Sequence, residues 1–465
     1  MRLGLQIAMV VVLVLAILIP LSMIRGVIAE RQRFRQQAVE EVTRSFAGEQ
    51  AIAGPVLVVP YREQAEVEER DAQGVLRKQL REVESEWLFF PKTMRMQGKV
   101  LPSIRKRGLH QVQVYEWQGT IEATFDMRLP ASDPARPRTL GTPRLNIGIA
   151  DVRGLVGAPT LQVAGGALPI LQGHHGRSGG GVHAQLPAGL IAGQRIVFPL
   201  QFGFALRGTE ALALVPLAVS NRIVLTSPWP HPQFNGDFLP RAHRIDASGF
   251  RAEWDVSSLA SNAQAQYRSG GDASIGSPRS AVGVGNIAKA ARAGQVAVDK
   301  VGLSLVEPVN LYSKVDRASK YGVLFVLLTF IGFFMFETLK QLPIHPIQYA
   351  LVGLALAIFF LLLLSLSEHI AFGWAYMVAG TACIGLIGFY LGHVLRSRAR
   401  GLGFAAMLTL LYAALYGLLV SEDNALVLGA GLLFAVLAAI MVVTRKVDWY
   451  QVAARVGTRA PMTLQ

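Results

Sequence analysis

The chain has 465 residues, of which 52% are hydrophobic and only 16% are charged. That balance is typical of an integral membrane protein with a sizeable soluble part, and it excludes an ordinary soluble globular protein. The formal net charge is +14. Because the arginines are scattered and no nucleic-acid-binding motif is present, this charge indicates basic cytoplasmic loops rather than nucleic acid as a partner. A single cysteine, Cys383, excludes an intrachain disulfide and a cysteine-based metal site.

The first apolar run covers residues 7–24, IAMVVVLVLAILIPLSMI. A membrane-spanning helix needs about 20 mostly apolar residues, so this run is long enough to span. A cleaved signal peptide is the alternative, because VIA at residues 27–29 could serve as a cleavage site. Secretory apolar regions usually have about 7–15 residues. We therefore predict an uncleaved signal-anchor helix over residues 1–29.

Five further apolar runs follow one another near the C-terminus and predict a bundle of five transmembrane helices over residues 316–465. They cover residues 322–339, 347–366, 370–391, 402–420 and 425–443. Together with the signal anchor, the sequence predicts six spans in all.

Basic segments orient these spans. Residues 393–400 carry three arginines and residues 444–460 carry four basic residues, so the positive-inside rule places both segments in the cytoplasm. Counting back along the spans makes both termini cytoplasmic and residues 30–315 a periplasmic domain, as in a bacterial inner-membrane protein. Four arginines within residues 25–35 disagree with this orientation. Long domains translocate largely regardless of nearby charge, so the assignment stands.

Most of the predicted periplasmic domain, residues 30–315, has the pattern of β-structure. Only its start, residues 29–48, has a helical pattern, which we interpret as a stalk. Beyond it, alternating branched and aromatic residues predict an all-β, sandwich-like domain whose number of subdomains stays open. The clearest strands cover residues 54–61, 109–129, 143–152, 194–206 and 222–229, with a last strand in 301–312. Gly-rich and Ser-rich segments near 173–181 and 268–286 predict mobile loops.

Five ionisable residues in or near the membrane are candidate functional groups: Glu337, His345, Glu368, His369 and His393. Glu368 and His369 follow the third span, where they form either a proton or substrate site between helices or, more simply, the polar cap of a helical hairpin. His345 and His393 lie at the far ends of the third and fourth spans, about 36 Å away, so the two groups cannot share a metal ion. Glu337 either snorkels to the interface or pairs with Lys340.

The stretch SPWPHPQF, residues 227–234, is a candidate binding platform in the β-rich domain. Trp229, His231 and Phe234 could contact a ligand there. The density of prolines suits a rigid turn at the end of a strand. Structural packing is therefore the simpler interpretation of these residues.

No catalytic centre is evident in the sequence. It contains no GxSxG, no P-loop, no HExxH and no convincingly paired carboxylates. His174, His175 and His183 could chelate a metal, but a Gly-rich loop offers no fixed geometry for one. We therefore predict a protein that is not an enzyme, with no catalytic residues, no cofactor and no metal.

Several long stretches are distinctive: TSPWPHPQFNGDFLP at 226–240, VEPVNLY at 306–312, ASKYGVLFVLLTFIGFFMFE at 318–337, LPIHPIQYALVGLALAIFFLLLLSLSEHIAF at 342–372 and VDWY at 447–450. On these residues the chain resembles the CreD inner-membrane proteins, also called cell envelope integrity proteins. The resemblance implies a bacterial inner-membrane location and a periplasmic domain. It also implies a link to a two-component regulatory system and, in some bacteria, to altered tolerance of colicins or β-lactams. It implies no established enzymatic activity or cofactor.

Two functions fit these features. In the first, the protein supports cell envelope integrity or an envelope stress response: the β-rich domain contacts a peptidoglycan-associated, lipid or protein partner in the periplasm, and the spans anchor it in the lipid bilayer. In the second, it is a transporter or lipid-handling protein that uses the C-terminal bundle, with Glu337, Glu368 and His369 as the residues to test. An intramembrane hydrolase is least favoured. The sequence leaves the oligomeric state open.

Overall fold

A computed structural model of the protein describes residues 2–70, 76–108, 110–131, 137–174, 180–270, 298–305, 311–340, 345–394, 397–421 and 425–445. The chain divides into two compact units. Met1–Gln36 and Val309–Gln465 form one, the helical unit; Gln37–Pro308 form the other, the β domain. The predicted signal anchor therefore lies in the same unit as the C-terminal helices.

The helices described are α1 (Arg2–Ser45), α2 (Ala263–Arg268), α3 (Leu311–Lys340), α4 (Pro346–Ser367), α5 (Phe372–Val394), α6 (Arg398–Val420) and α7 (Ala425–Thr444). Within the described residues, α1, α3, α4, α5 and α6 are long and apolar enough to cross a membrane. The apolar part of α7, Val427–Val442, is shorter. The sixth span therefore stays a prediction.

Helix α1 is a member of the helical unit's core. Ile17, Leu21, Ile24 and Ile28 recur at spacings of four and three residues, which places them on one helix face. All four are buried in the same cluster as Phe330 of α3 and residues of α4, α5 and α6. The N-terminal helix thus packs like the other members of the bundle rather than serving only as a tether.

The end of α1 belongs to the β domain. Val39 and Val42 are buried against Val112 and Val114 of the β domain. Glu41 accepts a hydrogen bond of 2.8 Å from Arg107 Nε. The helix predicted for residues 29–48 is present, but its last turns pack on the domain, so the interpretation as a stalk is wrong for them.

The β domain contains two sheets. Their strands are β1 (Gln50–Arg70), β2 (Leu76–Phe89), β3 (Thr93–Arg107), β4 (His110–Arg128), β5 (Arg138–Leu140), β6 (Arg144–Ile149), β7 (Leu155–Val163), β8 (Gly166–Ala167), β9 (Leu171–Gln172), β10 (Gly181–Gln185), β11 (Arg195–Thr209), β12 (Ala211–Val215), β13 (Ser220–Ser227), β14 (Gln233–Gly236), β15 (Ala242–Asp246), β16 (Gly249–Ser257) and β17 (Val301–Ser304). The nine-stranded sheet has the order β14-β17-β12-β1-β6-β10-β9, with β2 and β5 also paired to β1. The eight-stranded sheet has the order β15-β16-β13-β3-β4-β11-β7-β8.

The two sheets share one hydrophobic core. Leu57 and Ile147 of the nine-stranded sheet cluster with Trp117, Phe125 and Phe202 of the eight-stranded sheet. Inward residues alternate with outward ones along the long strands, as expected when two sheets pack face to face. The predicted architecture is confirmed: an N-terminal apolar helix, a large sandwich-like β domain and a C-terminal group of apolar helices.

The predicted mobile loops lie mostly outside the described residues, at 175–179 and 271–286. The two described ends of the first loop are joined by a hydrogen bond of 2.9 Å from Gly173 N to Gly181 O. The described start of the second, residues 268–270, consists of the last residue of α2 and the two residues after it. Helix α2 is a short helix that the sequence pattern did not predict.

Candidate functional site

The SEH segment forms a helix cap. Glu368 is the C-cap of α4, and the N–H groups of His369 and Ile370 donate to Leu366 O at 3.0 and 2.9 Å. These bonds satisfy a carbonyl that the end of a helix would otherwise leave without a partner. His369 is exposed. Helix α5 begins three residues later, at Phe372, so Glu368 and His369 lie in the turn of a helical hairpin.

The Glu368 side chain is nevertheless only 8% exposed, and its Oε1 lies 3.5 Å from Nε of Arg31 on α1. A second arginine of α1 contacts the same unit, because Arg25 Nη2 donates to Ser319 O of α3 at 3.1 Å. Two of the arginines that disagreed with the positive-inside rule thus have partners within the helical unit.

His345 has a structural role at the other end of α4. It is the N-cap of the helix: its Nδ1 accepts from Ile347 N at 3.4 Å, and its own N–H donates to Gln348 Oε1 at 3.1 Å. Pro346 occupies the first helical position, where its missing N–H costs nothing. This reciprocal capping box fixes the residue at which α4 begins.

Glu337 is buried, with 9% of its surface exposed. Its Oε2 accepts a short hydrogen bond from the hydroxyl of Tyr349, whose ring packs 4.5 Å from that of Phe333 between centroids. The expectation that Glu337 snorkels to the interface is therefore wrong. The side chain of Lys340, its other predicted partner, lies outside the described residues.

The two ends of α4 carry separate groups. Helix α4 has 22 residues, which at 1.5 Å per residue is about 33 Å. Tyr349 lies in its first turn and Glu368 follows its last. The α4–α5 contact between them is apolar and aromatic, with Phe359 and Tyr376 rings 5.3 Å apart and Cys383 Sγ 3.5 Å from Ala355 O. The structure keeps Glu337 and His345 apart from Glu368 and His369.

His393 lies in the last turn of α5. Its Nδ1 is 3.1 Å from Phe389 O, and the two rings lie 4.6 Å apart. It forms part of the wall of a groove between α5 and α6. The structure does not bring it to any of the other four ionisable candidates.

The aromatic turn of the β domain is packed. Trp229 Nε1 donates to His231 O at 2.8 Å, and the Phe234 ring lies 5.5 Å from that of Trp254. Trp229 and Phe234 are partly buried against the shared core of the two sheets, whereas His231 is exposed. These contacts give Trp229 and Phe234 packing roles.

The histidines near the first Gly-rich loop bind protein groups. His174 Nε2 lies 3.0 Å from the hydroxyl of Tyr267, and His183 Nδ1 lies 2.9 Å from Gly173 O. His175 is outside the described residues. Among the described residues, no group of three or more His, Cys, Asp or Glu side chains could hold a metal ion.

A polar row that the sequence analysis missed crosses the outer face of the eight-stranded sheet. Strand register makes its members cross-strand neighbours on six adjacent strands, and all six side chains are exposed. In order from β16 to β7 they are Asp255, Arg222, Arg95, Glu122, Gln201 and Gln162. They line a shallow cleft of about 680 Å³. We call this set the polar row.

Ion pairs surround the polar row. Asp126 of β4 accepts from Arg195 at 2.9 and 3.0 Å and from Lys92 at 3.0 Å. Hydrogen bonds from Arg195 and then Lys92 lower the pKa of its carboxyl to about 2. Glu253, beside Arg251 and Arg222, also has a lowered pKa, chiefly because of its hydrogen bond to Arg251. Asp126 and Glu253 are therefore ionised near neutral pH.

Two sequence comparisons with known proteins indicate the same family. The family model described as inner membrane protein CreD matches residues 2–450. The chain is 37% identical to the inner membrane protein CreD of Escherichia coli K12 over 438 residues, which cover 94% of this chain and 91% of that protein. Solved structures give only partial likenesses. An M1 zinc metallopeptidase from Deinococcus radiodurans has 11% identity, covers 36% of this chain and 38% of its own, and has a TM-score of 0.20.

The leukotriene A4 hydrolase of Saccharomyces cerevisiae, at 12% identity, covers 35% of this chain and 26% of its own with a TM-score of 0.19. Both likenesses are too weak to support an inference about fold or activity. The sequence matches cover nearly the whole chain, both the β domain and the helical unit. The chain therefore belongs to the CreD family of inner membrane proteins.

Proposed function

We propose that this protein supports cell envelope integrity as a non-enzymatic scaffold, in which the β domain binds a partner in the periplasm and the apolar helices anchor it. The polar row carries this proposal. It places guanidinium, carboxylate and carboxamide groups side by side on one exposed face. Such a face can form ion pairs and hydrogen bonds with a polar partner and discriminates partners by charge pattern.

The Arg31–Glu368 ion pair supports the proposed orientation. The two side chains touch, so the end of the apolar part of α1 and the α4–α5 turn lie on one side of the membrane. The chain enters the β domain shortly after Arg31. The arginine-rich segment at 393–400 lies at the opposite end of α5 and favours the cytoplasm. We place the β domain in the periplasm and both termini in the cytoplasm.

The candidate residues of the helical unit support an anchoring role for it. Glu368 caps α4 and pairs with Arg31, and His345 caps the other end of the same helix. Both contacts hold helices in place. The β domain, in contrast, presents charged side chains on an exposed face, where a partner can reach them.

Complementation of an envelope-stress phenotype in a deletion strain tests the proposal. We expect the double variant Arg95→Ala, Arg222→Ala to fail at normal membrane levels, because it removes both guanidinium groups of the polar row. Arg244→Ala, at an 85% exposed position on the edge strand β15, is the matched control and should complement. His369→Ala, in the helical hairpin, should complement as well. A double variant that complements as well as Arg244→Ala would contradict the proposal.

Glu337 favours a second candidate, a transporter or lipid-handling protein. A buried carboxyl inside apolar helices is costly, and such groups commonly mark proton or substrate pathways. This candidate predicts that Glu337→Gln loses function at normal protein levels while the polar-row variant complements. The scaffold proposal predicts the opposite pattern, so one set of strains separates the two.

A further inference from the structure

A groove runs between α5 and α6 on the surface of the helical unit. The two helices approach closely through glycine, because a Cβ at Gly401 would lie only 2.7 Å from the Cα of Gly392. Beside this contact the small residues leave a cavity of about 720 Å³, whose lining includes Gly385, His393 and Arg398. The groove exists because glycine and alanine occupy positions where larger side chains would fill it.

The groove continues along α6. A second cavity, of about 510 Å³, shares Leu402 and Ala405 with the first and extends through Leu410 to Ala413. From Leu402 to Ala413 the helix rises about 16 Å. One leaflet of a bilayer's hydrocarbon core is about 15 Å thick, half of the usual core of about 30 Å. The apolar part of the groove thus has the length of one leaflet.

The groove is polar at one end only. His393, Ser397 and Arg398 line the end at the α5–α6 turn. Arg398 also begins α6, a helix of 23 residues whose N-terminus carries a partial positive charge. The rest of the lining is apolar apart from Thr409, whose hydroxyl donates to Ala405 O within its own helix. One positive end and one apolar track of leaflet length form a single amphipathic site.

We propose that this groove binds one anionic phospholipid, with its phosphate at Arg398 and Ser397 and an acyl chain along α6 from Leu402 to Ala413. Charge complementarity selects an anionic headgroup over a zwitterionic one, since basic sites between membrane helices bind such headgroups. The apolar length selects a lipid over a free phosphate ion. This inference does not depend on the function proposed for the β domain.

Native mass spectrometry of the full chain, purified in detergent, tests the site with phosphatidylglycerol and phosphatidylethanolamine as probes. We expect retention of one phosphatidylglycerol in preference to phosphatidylethanolamine. Arg398→Gln should weaken it about fivefold, since a basic residue near an anionic lipid contributes about 1 kcal/mol. Arg445→Gln removes the same charge at the exposed position immediately after α7 and should change nothing.

A second pair of variants tests the acyl track. A side chain at Gly385 would meet open space, so Gly385→Leu should fill the groove without disturbing the fold and should lower phosphatidylglycerol retention. Gly403 of α6 also faces open space, and it lies outside the groove lining. Gly403→Leu is therefore the matched control.

Three results would overturn the proposal. Equal retention of the two lipids would show ordinary bilayer contact only. Full competition by soluble glycerol phosphate would show a free-anion site. A dimer that Gly385→Leu breaks, with lipid retention unchanged, would show that a second copy of the chain occupies the groove.

Discussion

The β domain and the helical unit place their charges in opposite ways. Along the strands of the eight-stranded sheet, outward-facing charged residues such as Arg222 and Asp126 alternate with apolar residues that are buried in the core. The helical unit exposes large apolar side chains, including Leu410 at 75%, and buries the carboxyl groups of Glu337 and Glu368. Water makes exposed charge cheap in the first unit. Burial makes each carboxyl of the second depend on specific partners, which include Tyr349 for Glu337 and Arg31 for Glu368.

The largest expected effect lies in the core of the β domain. Trp117 is fully buried and its ring packs 4.8 Å from that of Phe204. Trp117→Ala should cost about 3–5 kcal/mol of stability through lost burial and a cavity. Trp374, 66% exposed on the helical unit, is the control, and Trp374→Ala should cost far less. The urea concentration at half-unfolding, followed by protease accessibility of the full chain, would measure both losses of stability. Equal shifts for the two variants would contradict the expected difference between a buried and an exposed tryptophan.

The next effect lies inside the helical unit. Tyr349→Phe keeps the ring against Phe330 and Phe333 but removes the hydroxyl that donates to Glu337. Removing a hydrogen bond to a buried carboxyl should lower the free energy of unfolding by about 1–3 kcal/mol. Tyr416, 37% exposed, supplies the control Tyr416→Phe. Thermal unfolding in detergent would compare them, and a Tyr349→Phe shift no larger than that of the control would show that the buried contact adds no stability.

A smaller effect is expected at the Arg31–Glu368 pair. Arg31 is 39% exposed and the closest atoms are 3.5 Å apart, so the coupling should be about 1 kcal/mol or less. A double-mutant cycle of Arg31→Gln and Glu368→Gln measures it. We expect the double variant to be no less stable than the worse single variant, because either change already breaks the pair. Strictly additive losses would mean that the two side chains act independently.

The smallest effect is a pH dependence at Asp126, whose side chain is 16% exposed. Its folded pKa is lowered to about 2 from an ordinary value of 3.8, so the ionised form stabilises the fold above pH 3.8, and this contribution is lost as the pH falls toward 2. The melting-temperature difference between the natural chain and Asp126→Asn should therefore be constant above about pH 5 and narrow between pH 4 and pH 2. A difference that stays unchanged down to pH 2 would rule out this ion pair as its source.

Sequence patterns predicted the helical unit better than the β domain. The apolar run at 347–366 matches α4, Pro346–Ser367, to within one residue at each end, because hydropathy and span length coincide there. Helix α3 begins at Leu311, eleven residues before the predicted span, since its first turns are polar. Strand β15 was missed because all five of its residues are exposed and show no alternation.

The contacts that matter most at the candidate sites depend on positions far apart in sequence. Arg95 and Arg222 are neighbours because β3 and β13 pair in parallel across more than 120 residues, and no local pattern encodes that pairing. Tyr349 meets Glu337 only after α3 and α4 fold back on each other. The sequence supplied the candidate residues Glu337 and Glu368; the fold alone supplied their partners.

The strand order has a consequence for how the protein is made. Strand β1 is flanked by β12 and β6, and β12 is completed on its other side by β17, about 250 residues after β1 begins. At a synthesis rate of about 5–20 residues per second, the last strand emerges roughly 13–50 s after the first. For the last part of that interval, from the end of β12 at Val215 to the start of β17 at Val301, β12 has an open edge that can pair with other chains. We expect the newborn β domain to depend on a holding chaperone more strongly than a domain built from adjacent hairpins.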